Sequence, residues 1–428
     1  MPLPSTSPKV FIHVLAWVLL AVGVRASAAD LPALKDVFRD HFLVGSAVNR
    51  SIVTGASSLR RSGDQVSGDV ALSKAQFNQI TAENDMKWQL IHPREESDGY
   101  DFGPADAFVE FGERHGMQVV GHTLVWHSQT PNWVFAGTNP PPAGLNTNTP
   151  PPPPATVTST NDAAPGTNEL RRRRFGPGFG PYTGPRASRD ELLQRMRDHI
   201  QTVVGRYKGR VKVWDVVNEA IADGGGTNVL RNSLWLEIIG PDFIAKAFQF
   251  AHEADPAAML RYNDYGLENP VKRRKAITLV RSLREQGVPI HAIGSQAHVN
   301  VGTTFETMDQ ALTELATLGF PIHITELDVN GAQGGQRGTG ADVAANAAAV
   351  QGGLVEDADR RLAETYAAIF RAFVKHQKSV TMVTFWGVND AISWRAQGKP
   401  LLFDGDNRPK PAFHSVIETS RRVTVDRE

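Results

Sequence analysis

The feature that most constrains the fold is a series of eight short apolar runs, separated by amphipathic stretches, along a chain of 428 residues. Each run is nearly continuous in hydrophobic residues, which is typical of strands that are buried on both faces of a parallel sheet. The predicted strands span residues 42–49, 79–84, 118–126, 211–219, 259–265, 292–299, 322–329 and 381–388. These runs therefore predict an α/β protein with at least eight buried strands.

Three of the stretches between these runs are clear helix candidates. Residues 189–206 carry apolar side chains at helical spacing, residues 270–284 begin with a proline, which suits the first turn of a helix, and residues 361–374 form the third. Eight strands that alternate with helices predict a (β/α)8 TIM barrel. A doubly wound open sheet is the alternative, but no Gly-rich loop between a strand and a helix supports it.

Two segments interrupt the alternation, and we interpret both as loop insertions rather than domains. Residues 136–186, after the third strand, contain nearly half of the 27 prolines together with many Asn, Thr and Gly residues. Such a composition cannot bury a core, so a disordered loop is predicted there. Residues 331–353, after the seventh strand, are rich in Gly and Ala, with one weak helix predicted near residues 342–350.

Residues 1–28 have the layout of a secretory signal peptide. Lys9 precedes an apolar run over residues 10–24, and Ala26-Ser27-Ala28 forms a cleavage site of the A-x-A type. An uncleaved membrane anchor and a buried helix are the alternatives, although the run is shorter than the ~20 residues that span a bilayer. We therefore expect a secreted protein, extracellular or periplasmic, with a single barrel domain over residues 29–428 and no membrane contact after cleavage.

Charge and cysteine content argue against several classes of function. Lys plus Arg and Asp plus Glu both number 45, so the formal net charge is zero, which is unlike a protein that binds nucleic acid through a global positive charge. A nucleic-acid role would rest only on the run 171–174, four arginines without an interleaved aromatic residue. The chain has no Cys, which excludes disulfides, thiolate catalysis and zinc sites built on Cys.

Polar residues concentrate at the C-terminal ends of two predicted strands, where barrel enzymes build their active sites. Asn218 and Glu219 end the fourth strand, and Glu326 and Asp328 end the seventh. A carboxylate inside an apolar strand is costly unless it is paired or functional. Two carboxylates that converge in a barrel mouth can have their pKa values pushed apart, giving one acid and one ionised group, as glycoside hydrolysis requires. Structural salt bridges are the alternative interpretation.

Seven short segments, in order along the chain, resemble glycoside hydrolase family 10, the retaining endo-β-1,4-xylanases. They are 81–88 (TAENDMKW), 121–129 (GHTLVWHSQ), 214–220 (WDVVNEA), 262–265 (YNDY), 294–298 (GSQAH), 324–328 (ITELD) and 385–388 (FWGV). The resemblance covers residues 31–419 apart from the two insertions. It implies a barrel enzyme that acts on xylan and xylo-oligosaccharides without a cofactor, and we expect a monomer.

The resemblance also implies roles for matching residues around the bond to be cleaved. Glu219 corresponds to the general acid/base and Glu326 to the nucleophile of a double-displacement reaction, in which the two carboxyl groups stand about 5–5.5 Å apart. Asn218 is expected to hydrogen-bond the 2-hydroxyl of the sugar at the cleavage site. His298 is expected to hold Glu326, with Asp328 orienting the imidazole, although a plain structural ion pair is the alternative for Asp328.

The remaining matches imply sugar binding. The residues expected to contact the glycone sugars or the acid/base are Glu83, Asn84, Lys87, His122, Trp126, Gln129, Gln296, Trp386 and Trp394. Tyr265 is expected to stack on the first aglycone sugar. A solvated loop or a core aromatic residue is the alternative for individual members of this set. His122 and His127 could suggest a metal site, but their spacing provides no convincing third ligand, so no metal is predicted.

Alternative functions stay open at this point. The same residues could hydrolyse another β-1,4-glucan or aryl glycosides, or the chain could be a non-catalytic polysaccharide-binding protein, which the presence of both glutamates argues against. The 136–186 segment could be a solvated loop, or its arginines 171–174 could attract acidic substituents of xylan.

Overall fold

The computed structural model describes residues 31–96, 98–139, 182–332 and 356–425, with side chains described up to residue 420. The predicted signal peptide, residues 140–181 of the first predicted insertion and residues 333–355 of the second lie outside the described residues. The described residues from Pro32 onward belong to one compact unit. None of the described helices combines the length and the hydrophobicity needed to cross a membrane.

Eight parallel strands close into a barrel. They are β1 (Leu43–Val48), β2 (Gln79–Ala82), β3 (Gln118–Trp126), β4 (Val213–Asn218), β5 (Met259–Asp264), β6 (Ala292–Ser295), β7 (Ile322–Asn330) and β8 (Val380–Phe385). Neighbouring strands pair in chain order, and β8 pairs with both β7 and β1, which closes the sheet. The predicted (β/α)8 barrel is confirmed, and the open doubly wound sheet is wrong.

The predicted sixth strand, residues 292–299, is interrupted. Strand β6 ends at Ser295, and His298–Asn300 forms a separate short strand that pairs with the end of β7. Between them Ala297 has a φ of 55°, a left-handed conformation that no extended strand contains. The prediction of one continuous strand is therefore wrong, and the interruption bends the chain at the mouth of the barrel beside β7.

Helices surround the barrel and connect its strands. Those of the described residues are Leu34–Val37, Arg50–Thr54, Gly63–Gln76, Trp88–Ile91, Gly103–Arg114, Arg189–Arg206, Leu234–Ile238, Phe243–Ala254, Pro270–Glu285, Phe305–Ala316, Ala358–Lys375 and Pro411–Val425. The three predicted helices are confirmed, two of them with slightly wider bounds. Local sequence explains the starts of two of them, because Ser188 and Glu191 form a capping box and Asn269 caps a helix whose first residue is Pro270.

The two ends of the first insertion are structured. Ala136–Asn139 forms a short strand, Gly137 N–H donates to the carbonyl of Pro185 over 3.0 Å, and Ala187 N–H donates to the carbonyl of Phe135 over 2.9 Å. These ends differ from the prediction of a disordered loop over 136–186, because backbone hydrogen bonds replace the apolar contacts that the composition lacks. The chain thus departs from the barrel and rejoins it at one place.

Candidate active site

A cavity of about 530 Å³ lies at the C-terminal ends of the barrel strands. Its walls contain both glutamates predicted to be catalytic and all but one of the residues predicted to bind sugar. These lining residues are Glu83, Asn84, Lys87, His122, Trp126, Gln129, Asn218, Glu219, Gln296, His298, Glu326, Trp386 and Trp394. Side chains that are far apart in sequence therefore converge because parallel strands end at the same face of the barrel.

Glu326, on β7, is 5% exposed and is held from two sides. Asn263 Nδ2 donates to Glu326 Oε1 over 2.8 Å, and His298 Nε2 lies 3.2 Å from Glu326 Oε2. Burial alone would raise the pKa of the Glu326 carboxyl. The hydrogen bond from His298 and the positive charge on that ring hold this pKa below its usual value. The Glu326 carboxylate is thereby kept ionised.

His298 is itself fixed by a buried anion. Its Nδ1 lies 3.0 Å from Asp328 Oδ2, and Asp328 also accepts hydrogen bonds of 2.7 Å from Trp394 Nε1 and from Arg395. Burial would lower the pKa of His298, but Asp328 and Glu326 outweigh it and raise that pKa to about 9. His298 therefore carries a proton at neutral pH, and the chain of contacts runs from Asp328 through His298 to Glu326.

Glu219 stands just after β4, is 3% exposed, and has different partners. Trp126 Nε1 donates to Glu219 Oε2 over 3.0 Å, and Gln296 Nε2 donates to Glu219 Oε1 over 3.0 Å. Both donors are uncharged, in contrast to the cationic His298 beside Glu326. The interruption after β6 matters here, because Gln296 and His298 on either side of Ala297 reach the two different glutamates.

Asn263 was not among the predicted site residues, although it lies in the segment 262–265. Its Nδ2 donates to Asn218 Oδ1 over 2.9 Å as well as to Glu326, and its Oδ1 accepts from Thr325 over 2.7 Å. A Cβ on Gly294 would stand 2.3 Å from Asn263 Oδ1, so only glycine leaves room for this arrangement. The sequence did contain one sign of this role, because Asn263 is a polar residue near the C-terminal end of the predicted strand 259–265.

A second buried group that the sequence reasoning missed supports His122 from inside the barrel. His122 Nδ1 lies 3.0 Å from Asp215 Oδ2, and Arg261 Nε donates to Asp215 Oδ1 over 2.6 Å. Burial would raise the pKa of Asp215, but the Arg261 guanidinium lowers it to about 2, with help from His122. The ring of His122 in turn packs edge-on against Trp386, 5.3 Å away.

The predicted glycone residues form one wall of the cavity. Lys87 Nζ donates to Asn84 Oδ1 over 3.0 Å and lies 5.2 Å from the ring centre of Trp126. Burial lowers the pKa of Lys87 despite the nearby carboxylates. The cavity continues past these residues to Arg50, whose guanidinium lies 2.7 Å from Asp85, a pair that the sequence reasoning did not include.

Tyr265 is the predicted binding residue that does not line the cavity. It is 6% exposed, its hydroxyl donates to Asp223 Oδ2 over 2.6 Å, and Lys272 Nζ lies 3.1 Å from the centre of its ring. The ammonium group covers part of the aromatic surface that a sugar would need. Stacking of Tyr265 on an aglycone sugar stays a prediction. Across the described residues, no group of three or more His, Asp or Glu side chains is arranged to hold a metal ion.

Comparison with known proteins decides the family. The model of glycosyl hydrolase family 10 matches residues 33–148 and 181–419. The chain belongs to this family. The resemblance seen in the sequence is thus confirmed, and the matched residues omit part of the Pro-rich segment while including residues 333–355.

Three relatives of this family 10 chain are similar to it over nearly their whole length. An endo-1,4-β-xylanase of Geobacillus stearothermophilus is 38% identical over 397 residues, which is 91% of this chain and 99% of that protein. The solved structure of a family 10 endoxylanase from a sugarcane soil metagenome is 35% identical, with a TM-score of 0.69 and coverage of 91% and 99%. An intracellular xylanase of Thermoanaerobacterium saccharolyticum, solved with xylotriose, is 33% identical, with a TM-score of 0.68 and coverage of 90% and 98%.

Proposed function

We propose that this glycoside hydrolase is an endo-β-1,4-xylanase that cleaves internal bonds of xylan by double displacement, with retention of anomeric configuration. The observation that carries the proposal is the unlike surroundings of two buried glutamates on one cavity. Glu326 faces a protonated histidine and an amide donor, while Glu219 faces two neutral donors. A retaining glycosidase needs one ionised carboxylate and one that exchanges a proton, and Glu326 is the carboxylate that its neighbours keep ionised.

In the first step a carboxylate oxygen of Glu326 attacks the anomeric carbon. The glycosidic C–O bond breaks, and the proton of Glu219 moves to the departing sugar oxygen. In the second step water attacks the same carbon and gives its proton to Glu219, and the bond to Glu326 breaks. His298, fixed by Asp328, stabilises Glu326 whenever that group is anionic, at the start and at the end of the cycle.

Sugar contacts follow from the groups that line the cavity. The two hydrogen bonds of Asn218, from Asn263 and Gln296, both go to Oδ1, so its Nδ2 is oriented to donate to a sugar 2-hydroxyl. Lys87 and Asn84 provide polar contacts, and the rings of Trp386 and Trp394 suit the C–H faces of pyranose sugars. The relatives that are named xylanases support xylan as the substrate.

The test is NMR of anomeric protons during early hydrolysis of xylohexaose, with wild type and Glu326→Ala in parallel. We expect β-anomeric products first from the wild type, and an initial rate at least about 10⁴-fold lower from the variant. Early α-anomers would overturn the double displacement. Unchanged turnover by Glu326→Ala would remove Glu326 from the role of nucleophile.

Selectivity for xylose over glucose is part of the proposal. Glucose differs by a C6 hydroxymethyl group, and Lys87 and Trp386, which both line the cavity, are the residues expected to exclude it. Relative kcat/KM values on xylotriose and cellotriose measure this preference. A higher value on cellotriose would favour the alternative, a β-1,4-glucanase built on the same barrel.

We also propose export through residues 1–28. The apolar run and the A-x-A site support it, whereas a similar solved protein is described as intracellular. N-terminal sequencing of the enzyme from culture fractions is the test. A mature chain that starts near Ala29 or Asp30 outside the cytoplasm is expected, and an intact N-terminus in the cytoplasm would contradict export.

A further inference from the structure

The backbone of the proposed acid/base has a conformation that needs support. Glu219 has a φ of 58°, in the left-handed region that residues other than glycine rarely adopt. Such a conformation persists only where surrounding contacts impose it. The first contact is the N–H of Glu219, which donates to the carbonyl of Asn263 over 2.8 Å. The neighbouring strand β5 thus begins to define the turn.

The next two backbone N–H groups are held by side chains of the same strand. Ala220 N–H donates to the hydroxyl of Tyr262 over 3.0 Å, and Ile221 N–H donates to Asp264 Oδ2 over 3.2 Å. The Tyr262 hydroxyl in turn donates to Asp264 Oδ2 over 2.5 Å. One hydroxyl and one carboxylate therefore hold the turn that follows Glu219, through both of its next amides.

The carboxylate of Asp264 is anchored in turn. Lys272 Nζ lies 3.0 Å from Asp264 Oδ1 and 2.9 Å from Asp223 Oδ1. Tyr262 and Asp264 are both fully buried, and neither lines the cavity. They are out of reach of a substrate in the cavity, so any influence on the reaction passes through the placement of Glu219.

We propose that Tyr262 and Asp264 are positioning residues for the general acid/base, and that they hold the carboxyl of Glu219 where it can protonate the leaving oxygen. This inference rests on the proposed role of Glu219. Without the Tyr262 hydroxyl, the amide of Ala220 loses its partner in a buried place and the strained turn can relax. A displacement of about 1 Å is enough to impair proton transfer severely.

The dependence of the rate on the leaving group tests this placement. Xylohexaose has a poor leaving group that needs the proton of Glu219, whereas 2,4-dinitrophenyl β-xylobioside has a leaving group that departs without it. For Tyr262→Phe we expect kcat/KM on xylohexaose to fall about 10-fold or more, and kcat/KM on the aryl glycoside to stay within about 2-fold of wild type. The parameter kcat/KM is chosen because it reports formation of the glycosyl-enzyme.

Three further variants make the result decisive. Tyr207→Phe is the matched control, because its buried hydroxyl donates to Asp106 over 3.0 Å, away from the cavity, and we expect no change on either substrate. Glu219→Ala is the reference, and a failure of that variant to show the leaving-group dependence would refute the proposed function rather than the positioning role. Asp264→Asn replaces Tyr262→Phe if the latter does not fold.

Two outcomes would overturn the positioning role while Glu219→Ala behaves as expected. One is an equal loss of kcat/KM on both substrates by Tyr262→Phe, which would indicate general damage to the cavity. The other is unchanged kcat/KM on both substrates, which would show that the hydrogen bonds of Trp126 and Gln296 place the Glu219 carboxyl without the turn.

Discussion

Two histidine sites in this barrel differ in charge, one cationic and one neutral, and their neighbours explain the difference. Burial would lower the pKa of His298, but the carboxylates of Asp328 and Glu326 raise it to about 9. At the second site burial lowers the pKa of His92 to about 4 and that of His199 well below its usual value. One residue type is thus a cation between two anions and a neutral ring elsewhere.

The second site is built from stacked rings. His199 lies parallel to Trp88 with 3.6 Å between ring centres, and His92 lies against Tyr100 at 3.7 Å. The Nδ1 atoms of His92 and His199 are 3.4 Å apart, which is compatible with a hydrogen bond only while at least one ring is neutral. A buried histidine therefore needs a nearby anion to be charged, and stacking alone leaves it neutral.

The contributions of the two sites to stability depend on pH in opposite ways. The pKa of His298 is raised on folding, so its contribution is complete below the unfolded value of about 6.5 and is lost as the pH rises through about 9. The pKa of His92 is lowered, so its contribution is complete above about 6.5 and is lost as the pH falls toward about 4. Both contributions are complete together only near pH 6.5.

Removal of the anion at the first site has the largest expected effect. Asp328→Asn leaves protonated His298 and Arg395 buried without their carboxylate, and breaking such a buried pair costs about 3–5 kcal/mol. We also expect the pKa of His298 to fall and kcat/KM on xylohexaose to drop on the order of 10²-fold, since Glu326 loses a charged donor. Urea unfolding, histidine NMR titration and kinetics at pH 7 measure the three effects.

The titration decides whether Asp328 acts through His298. A His298 pKa that stays near 9 in Asp328→Asn would contradict this mechanism, whatever happens to activity. In that case the plain structural ion pair with Arg395 would be the better description of Asp328.

The ring site is expected to respond less, and only at acid pH. His199→Phe keeps an aromatic ring against Trp88 and removes a group that resists protonation, so stability at pH 7 should stay within about 1.5 kcal/mol of wild type. Below pH 6.5 the wild type should lose stability faster, because each such histidine contributes up to about 1.4 kcal/mol per pH unit. The free energy of unfolding of both proteins is measured at pH 7, 6 and 5. A difference between wild type and variant that stays constant over this range would contradict a neutral His199.

The sequence predicts much of the frame that carries these sites. Eight buried runs and their polar ends were enough to predict the barrel, and Glu219 and Glu326 do face one cavity. The break at Ala297 was not predicted, because a left-handed alanine has no sequence pattern. The polar residues Ser295, Gln296 and His298 around it were the available sign that the apolar run ends early. The effect of the break is local and large, since Gln296 and His298 then reach different glutamates.

Supporting residues were harder to predict than lining residues. Asn263 pairs with Asn218 and with Gly294 in the register of the barrel, which the chain sequence does not specify. The same holds for the contact of His92 with His199, since these residues are far apart along the chain and look like two unrelated helix or loop histidines. Tyr265 shows a further limit, because the family resemblance implied a sugar platform but did not reveal that Lys272 lies over its ring and that Asp223 accepts its hydroxyl hydrogen bond.

A partly buried ion pair between His376 and Asp309 supplies the matched comparison and the smallest expected effect. Asp309, like Asp328, is paired with a histidine and a cation, with His376 Nε2 at 2.7 Å and Lys375 Nζ at 2.8 Å, but its side chain is 22% exposed. We expect Asp309→Asn to cost about 0.2–1 kcal/mol, because solvent screens the charges that it leaves behind.

Salt separates the two cases. In about 1 M NaCl the Debye length shrinks to about 3 Å, so the cost of Asp309→Asn should largely vanish while that of Asp328→Asn persists. Lys375 and His376 hold the pKa of Asp309 below its usual value, so its small contribution is present at neutral pH and is lost as the pH falls into the acid range. Urea unfolding of both variants in low and high salt is the measurement. An equal loss in free energy of unfolding for the two substitutions would show that burial does not make the Asp328 ion pairs stronger than those of Asp309.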